Sequence, residues 1–178
     1  MRQLETYDQS DLQLVKLEEC DLGAARAFVL SVASGLSRPE FFITSDIDSI
    51  FERLVCREEG LVYAFANSGQ IVAMQAIDVV ALQHCDLTPR DLLSSVKNCY
   101  ESTLTLCRPG CRRKGYSSLL HGFLLRDSRA MFGARCQFAT VHPDNTESLM
   151  LYSTLGYTDI GRIIHFGLPR RLLHRHRE

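Results

Sequence analysis

Apolar and polar residues recur along the chain with two different periods, and these periods predict a succession of strands and helices. The segment LQLVKLEE (12–19) alternates in its first half, which predicts a strand. A helix is expected between Asp21, as its cap, and Gly35, and a second helix after Ser45, where apolar residues recur at helical spacing. The chain therefore begins with a strand and two helices.

Two β-rich apolar runs occupy the middle of the chain, at 61–66 and 71–80. The sequence NSGQ between them is typical of a hairpin turn, so we expect two antiparallel strands. An insertion follows at 83–100, in which Thr88 and Pro89 predict the start of a short helix. The sequence assigns no role to this insertion.

Strands and helices alternate in the second half of the chain. Strands are predicted at 102–106 and 136–141, and the apolar stripe of 112–132 predicts a long helix between them. A helix that ends at Gly156 and a strand at 157–166 follow. Because a strand–helix–strand unit places its strands parallel, we expect an α/β fold with a mixed, mostly antiparallel sheet and helices on both faces.

Composition and charge narrow the class of protein. The chain has 178 residues and is 46% hydrophobic, which suits the core of one domain. Its formal charge of -1 gives no general attraction to nucleic acid or to a membrane surface. Neither a secretory signal nor a run of roughly 20 apolar residues is present. We expect a soluble, cytoplasmic protein in which any basic patch is local. The basic C-terminal segment 169–178 is a candidate for binding an anion or a partner, although such an end is more often solvated or frayed.

The cysteines are odd in number and lack paired spacing, which favours reduced thiols in a cytosol-like compartment over a disulfide framework. Cys107, Cys111 and Cys136, together with His84 or His121, form one candidate zinc site. A single C-x-x-x-C is a weak indication, because free cysteine is commonly a small buried hydrophobe. We therefore expect no metal.

Basic residues and a glycine meet where the long helix is predicted to begin, in the stretch CRPGCRRKGYSS (107–118). The first N–H groups of a helix lack partners, and the helix dipole is positive there, so this end attracts phosphate. Gly115 lets an anion approach the backbone, while Arg112, Arg113 and Lys114 add positive charge. The stretch is a candidate anion-binding loop, although basic residues beside a glycine are usually only surface.

A polar stripe runs along the following predicted helix, NTESLMLYSTL. Asn145, Ser148 and Tyr152 are spaced by three and four residues, which places them on one helix face. We expect such a polar face to contact another group rather than the apolar core. If the helix stood alone, Tyr152 would be interpreted as an ordinary half-buried core tyrosine.

Together the two segments resemble the GNAT superfamily of acyl-CoA-dependent N-acyltransferases. The first family pattern, Arg/Gln-x-x-Gly-x-Gly/Ala after a strand and a proline, is similar to residues 112–117 after Pro109, with Ser117 where the family usually has Gly or Ala. The second pattern, Asn-x-x-Ala/Ser-x-x-x-Tyr-x-x-x-Gly-Phe/Tyr, is matched at every position by Asn145, Ser148, Tyr152, Gly156 and Tyr157. The clear match covers residues 101–166, roughly a third of the chain.

The resemblance implies a GNAT fold, in which two parallel strands, here around 102–108 and 136–142, splay apart around the co-substrate acetyl-CoA. It implies that the pyrophosphate lies on the loop backbone, and that a backbone N–H near Leu106 or Cys107 polarises the thioester carbonyl. The residues that it implicates in cofactor binding are Leu106, Cys107, Arg108, Arg112, Arg113, Lys114, Gly115, Tyr116, Ser117, Asn145 and Ser148.

The resemblance also implies direct attack by a primary amine of a small molecule or protein, which needs two proton transfers. Glu101 matches the general base of the histone-acetyltransferase branch, although a glutamate at a strand start is more often exposed. Tyr152 matches the family tyrosine that protonates the leaving thiolate. His142 and His84 are alternative bases.

The function that follows is an acetyl-CoA-dependent N-acetyltransferase. The alternative is a non-catalytic acyl-CoA-binding or protein-interaction module on the same scaffold. Acetyl-CoA and an amine acceptor are the expected partners, without nucleic acid or membrane, and a homodimer is left open.

Overall fold

A computed structural model describes residues 2–6, 11–42, 46–79, 99–134, 136–165 and 167–176. Within these residues the strands are β1 (Arg2–Thr6), β2 (Leu12–Lys16), β3 (Gly60–Asn67), β4 (Gln70–Asp78), β5 (Cys99–Cys107), β6 (Cys136–Val141), β7 (Thr158–His165) and β8 (Leu168–His176). The α-helices in the same ranges are α1 (Leu22–Ser34), α2 (Ile47–Phe51), α3 (Tyr116–Phe132) and α4 (Thr146–Thr154). The strands form one mixed sheet in the order β1-β2-β3-β4-β5-β6-β8-β7.

The first five strands pair in chain order, each antiparallel to the next. Between β3 and β4, Ser68 and Gly69 have φ angles of 48° and 77°, which are the left-handed values that a two-residue hairpin turn requires. The predicted NSGQ hairpin is therefore confirmed. The insertion and its predicted helix fall mostly on residues 80–98, which lie outside the described residues.

Helix α3 connects β5 to β6, and these two strands run parallel, which confirms the predicted strand–helix–strand unit. The helix begins at Tyr116 rather than at 112, because Arg113 and Gly115 adopt φ angles of 60° and 79° that no α-helix contains. Gly133, with φ 63°, ends it as predicted.

Helices cover both faces of the sheet, so the predicted arrangement is confirmed. On one face, α1 and α2 pack on the central strands through Phe28, Val32, Phe51, Val62 and Met74. On the other face, α3 packs through Leu120 and Leu124 against Leu61, Phe65 and Ile77. Strands β3 and β4 are buried on both sides, which explains why they are continuous apolar runs rather than alternating ones.

The expectation of a solvated basic C-terminal segment was wrong. Residues Leu168–His176 form β8, which pairs with β6 on one side and β7 on the other. Leu172 and Leu173 are buried, and the guanidinium of Arg171 donates to the Asp159 carboxylate on β7. Neighbouring strands thus pair with the backbone of a segment whose composition resembles a surface tail, and Arg171 forms an ion pair within the sheet.

The cysteines also differ in part from expectation. Cys20, Cys56, Cys107 and Cys111 are free, whereas Cys136 is disulfide-bonded. No cluster of three or more potential metal ligands occurs within the described residues. In the same residues, no helix combines the length and the apolar character that crossing a membrane requires.

Candidate functional site

Strands β5 and β6 form a fork. They pair only over Cys99–Glu101 and Cys136–Phe138. Beyond this point β5 stays with β4 and β6 stays with β8, so the two neighbours diverge. A cleft of about 1590 Å³ opens at the fork and is lined by both strands, by the start of α3 and by α4. The splayed parallel pair implied by the resemblance is therefore confirmed.

A β-bulge lies in the β5 arm of the fork. Met74 and Ala76 on β4 pair with Leu106 and Thr103, so β5 contains one extra residue, and Leu104 has a φ of 50°. A bulge re-aims the side chains around it. Here Thr105 directs its hydroxyl to within 3.0 Å of the Tyr152 hydroxyl on α4.

The end of β5 offers a backbone donor to the cleft. The N–H of Arg108 donates to the carbonyl of Val72 at 2.9 Å, and Cys107 and Leu106 pair with Ala73 and Met74. Because hydrogen-bonded and non-bonded pairs alternate in antiparallel strands, Leu106 N–H points to β4 and Cys107 N–H points into the fork. Of the two predicted donors, the geometry favours Cys107.

The loop before α3 leaves backbone N–H groups and open space at its glycine. Leu119 N–H donates to Gly115 C=O in the first helical hydrogen bond, at 3.0 Å, so the N–H groups of residues 116–118 have no partner within the helix. A Cβ added at Gly115 would meet no atom within 4 Å. Gly115, Tyr116 and Ser117 line the cleft, and the Tyr116 ring also packs on Phe65.

The predicted basic residues divide into two groups. Arg112 and Arg113 line the cleft, and an Arg112 nitrogen lies 3.8 Å from the Glu147 carboxylate at the start of α4. Arg108 and Lys114 are not among the lining residues within the described chain. The Arg108 side chain instead donates to the carbonyl of Ile71 at 2.7 Å, which ties the end of β5 to the start of β4.

Glu101 lies at the vertex of the fork and lines the cleft, yet it is 95% buried, with 5% of its surface exposed. The Thr140 hydroxyl donates to its Oε1 at 2.8 Å. Burial raises the Glu101 pKa to about 7, and the Asp78 carboxylate directly opposite on β4 acts in the same direction. The expectation that this glutamate is solvated does not hold, and a carboxylate of this pKa exchanges protons near neutrality.

Tyr152 projects from α4 into the same cleft and is buried. Its hydroxyl lies 3.1 Å from the Ser102 hydroxyl and 3.0 Å from that of Thr105. Burial raises the Tyr152 pKa, so the phenol is protonated at neutral pH and is able to donate a proton. Asn145 caps α4 by accepting a hydrogen bond from Ser148 N–H at 3.1 Å, and both residues line the cleft.

A buried polar network that the sequence did not predict is linked to Tyr152 through the Ser102 hydroxyl. The Gln75 amide nitrogen donates to Ser102 Oγ at 2.8 Å and to His121 Nδ1 at 3.1 Å. His121 is fully buried, and burial lowers its pKa to about 4, so its ring is neutral. The sequence feature that could have revealed this network is the occurrence of two polar residues, Gln75 and Ser102, at inward-facing positions of apolar strands.

The remaining candidates are accounted for by structure. His142 accepts a hydrogen bond from the backbone N–H of Asp144 at 3.2 Å, packs against Phe41 and does not line the cleft. His84 lies outside the described residues. Cys136 is disulfide-bonded and is therefore not available as a ligand of the hypothesised zinc site. Burial raises the pKa of Cys107 to about 11, which keeps this residue a thiol.

Comparison with known proteins supports this fold. No protein-family model and no curated protein sequence matches the chain. Among solved structures, it is similar to a GNAT-family acetyltransferase from Streptococcus pneumoniae, with TM-score 0.67 and 17% identity over 94% of this chain and 99% of that one. A ribosomal-protein-alanine N-acetyltransferase from Brucella melitensis gives TM-score 0.66 and 15% identity over 92% and 99%. An aminoglycoside acetyltransferase in complex with coenzyme A and kanamycin gives 0.66 and 15% over 93% and 95%.

Proposed function

We propose that this chain, which has the fold of the GNAT acetyltransferases, transfers the acetyl group of acetyl-CoA to a primary amine. The observation that carries the proposal is the pair of opposed proton-transfer groups in one cleft. Glu101 is a buried carboxyl whose pKa is near 7, and Tyr152 is a phenol whose pKa is raised above its ordinary value. Groups whose environments set their pKa values apart are suited to act as base and acid.

The residues of the fork fit acetyl-CoA, which supplies an acetyl group activated as a thioester. The N–H groups that open α3 and the guanidinium of Arg112 hold a pyrophosphate, and the open space at Gly115 admits it. The free side of β5 binds the extended arm of the cofactor. Cys107 N–H then donates to the carbonyl oxygen on which negative charge develops.

Two proton transfers complete the reaction. The amine nitrogen forms a bond to the acetyl carbon while the carbon–sulfur bond breaks. Glu101, directly or through a water molecule, takes the proton that the amine loses, and Tyr152 gives its proton to the departing sulfur. The hydroxyls of Ser102 and Thr105 then donate to the phenolate that is left on Tyr152.

The test is release of CoA thiol from acetyl-CoA in the presence of amino acids, polyamines, aminoglycosides and peptides with free N-termini or lysines. At least one acceptor should be acetylated at a rate that falls in Glu101→Gln and in Tyr152→Phe. The alternative, a non-catalytic acyl-CoA-binding module, predicts calorimetric binding of CoA with no thiol release by any acceptor. An absence of CoA binding would contradict both functions.

A further inference from the structure

Arg170 is a deeply buried guanidinium of the cleft that has no carboxylate partner among the described residues. Arg170 on β8 lines the cleft near Glu101 and is 97% buried, with 3% of its surface exposed. Its Nη2 donates to the carbonyl of Glu40 at 3.1 Å, and its Nη1 approaches the carbonyl of Phe41 at 3.5 Å. Within the described residues, no carboxylate lies within ion-pair distance of it.

Two carbonyl contacts leave this group incompletely satisfied. A guanidinium carries five N–H donors, so three of them are unused by these contacts. Carbonyl oxygens also leave the positive charge unneutralised, and an isolated buried charge is costly unless it is paired. Burial accordingly lowers the Arg170 pKa, while the charge of Glu101 raises it.

The neighbouring charges contrast with Arg170. Arg53 also lines the cleft, but both of its terminal nitrogens donate to the Asp78 carboxylate, at 3.2 and 2.6 Å. This pair is complete in itself. Glu101 accepts one hydrogen bond from the Thr140 hydroxyl, which leaves its carboxylate able to take a proton from an amine. The vertex of the cleft thus presents one proton acceptor and one cation that is not yet paired.

We infer that Arg170 binds a carboxylate of the acceptor, so that the acceptor is a small amine bearing a carboxylate on the same molecule, as a free amino acid does. The inference rests on the proposed function. The amino group of the acceptor faces Glu101, and the carboxylate of the acceptor faces Arg170. A bidentate contact between this carboxylate and the guanidinium fixes the orientation of the acceptor.

The charge balance of the whole cleft gives no strong preference for a polycationic acceptor. Among the described lining residues, five carboxylates (Asp46, Asp78, Glu101, Asp144 and Glu147) face four guanidiniums (Arg53, Arg112, Arg113 and Arg170). These charges nearly cancel, so the field does not strongly attract an aminoglycoside or a polyamine and does not repel a zwitterion.

The experiment compares acceptors that differ only in the carboxylate. Each of the common amino acids is assayed beside its carboxamide by thiol release at saturating acetyl-CoA. For the preferred acceptor, kcat/KM should be about tenfold to a hundredfold higher for the acid than for the amide, the range for a hydrogen bond to a charged group. Arg170→Met should remove this preference while leaving the KM for acetyl-CoA unchanged, and Arg170→Lys should retain part of it.

Arg171→Met is the matched control. This neighbouring residue on β8 binds Asp159 and does not line the cleft, so the preference should persist. A wild-type protein that acetylates amides or simple amines as well as acids would overturn the inference without any variant. A preference that survives Arg170→Met would overturn it equally. If no amine of any class is acetylated, the proposed function itself fails, and this inference fails with it.

Discussion

Replacing Glu101 by glutamine removes a charge that the structure holds in a buried position. The side chain keeps its shape, and its carbonyl oxygen still accepts the hydrogen bond from Thr140. The change therefore isolates ionisation from packing. Because burial raises the Glu101 pKa from 4.5 to about 7, the charged form is disfavoured in the folded protein.

The size of the effect follows from this shift. Each pKa unit corresponds to about 1.4 kcal/mol, so ionisation of Glu101 costs the folded state about 3 kcal/mol. In the wild type this stability is present below pH 4.5 and is lost as the pH rises through about 7. Glutamine does not ionise. Relative to the wild type, the variant should thus gain about 2 to 3 kcal/mol of unfolding free energy between pH 5 and pH 8.5.

Activity should change in the opposite direction. Only ionised Glu101 accepts a proton, so wild-type kcat/KM should rise with pH through about 7 and then level off. Glu101→Gln should lose this limb and about a hundred- to ten-thousandfold in turnover, with little change in acetyl-CoA affinity.

Urea denaturation of both proteins at the two pH values measures the first quantity, and a pH–rate profile with the identified acceptor measures the second. Equal stability differences at both pH values would refute the claim that Glu101 is desolvated. An unchanged rate profile would assign the proton transfer to water or to another residue.

Three further predictions concern the cofactor and the tyrosine. Gly115→Glu should abolish the stabilisation by CoA, which is about 2.7 kcal/mol at a hundredfold excess over Kd. The control Gly69→Glu, also at positive φ with open space, should keep this stabilisation. Equal thermal shifts by CoA in both variants would show that CoA does not bind at the loop of Gly115. Tyr152→Phe should cost about 1 kcal/mol of stability, because the hydroxyl loses its contacts with Ser102 and Thr105. It should also slow single-turnover acetyl transfer about a hundred- to ten-thousandfold without changing CoA binding. A wild-type rate in a reaction limited by chemistry would show that Tyr152 is only a packing residue. Ser102→Ala should slow the same step about tenfold, and a slower binding step instead would contradict its assigned contact with the phenolate.

Local pattern was sufficient to predict most elements of the fold. The hairpin between β3 and β4, strand β6 and helix α4 were predicted because hydrophobic period, turn residues and caps act over a few neighbouring residues. Strand β8 was not, because its arginines and histidines resemble a surface segment until β6 and β7 pair with it on both sides. Strand β1 likewise depends on its partner β2.

The candidate site divides in the same way. The sequence by itself determined the order of strands and helices, the loop at Gly115 and the polar face of α4, because each is a property of a short segment. Only the tertiary structure decided that Glu101 is buried and that Arg108 turns away from the cleft. It also brought Arg170, from the far end of the chain, to the cleft that Glu101 lines. Burial and pairing depend on which distant segments meet, and desolvation then sets the charge and pKa of each group.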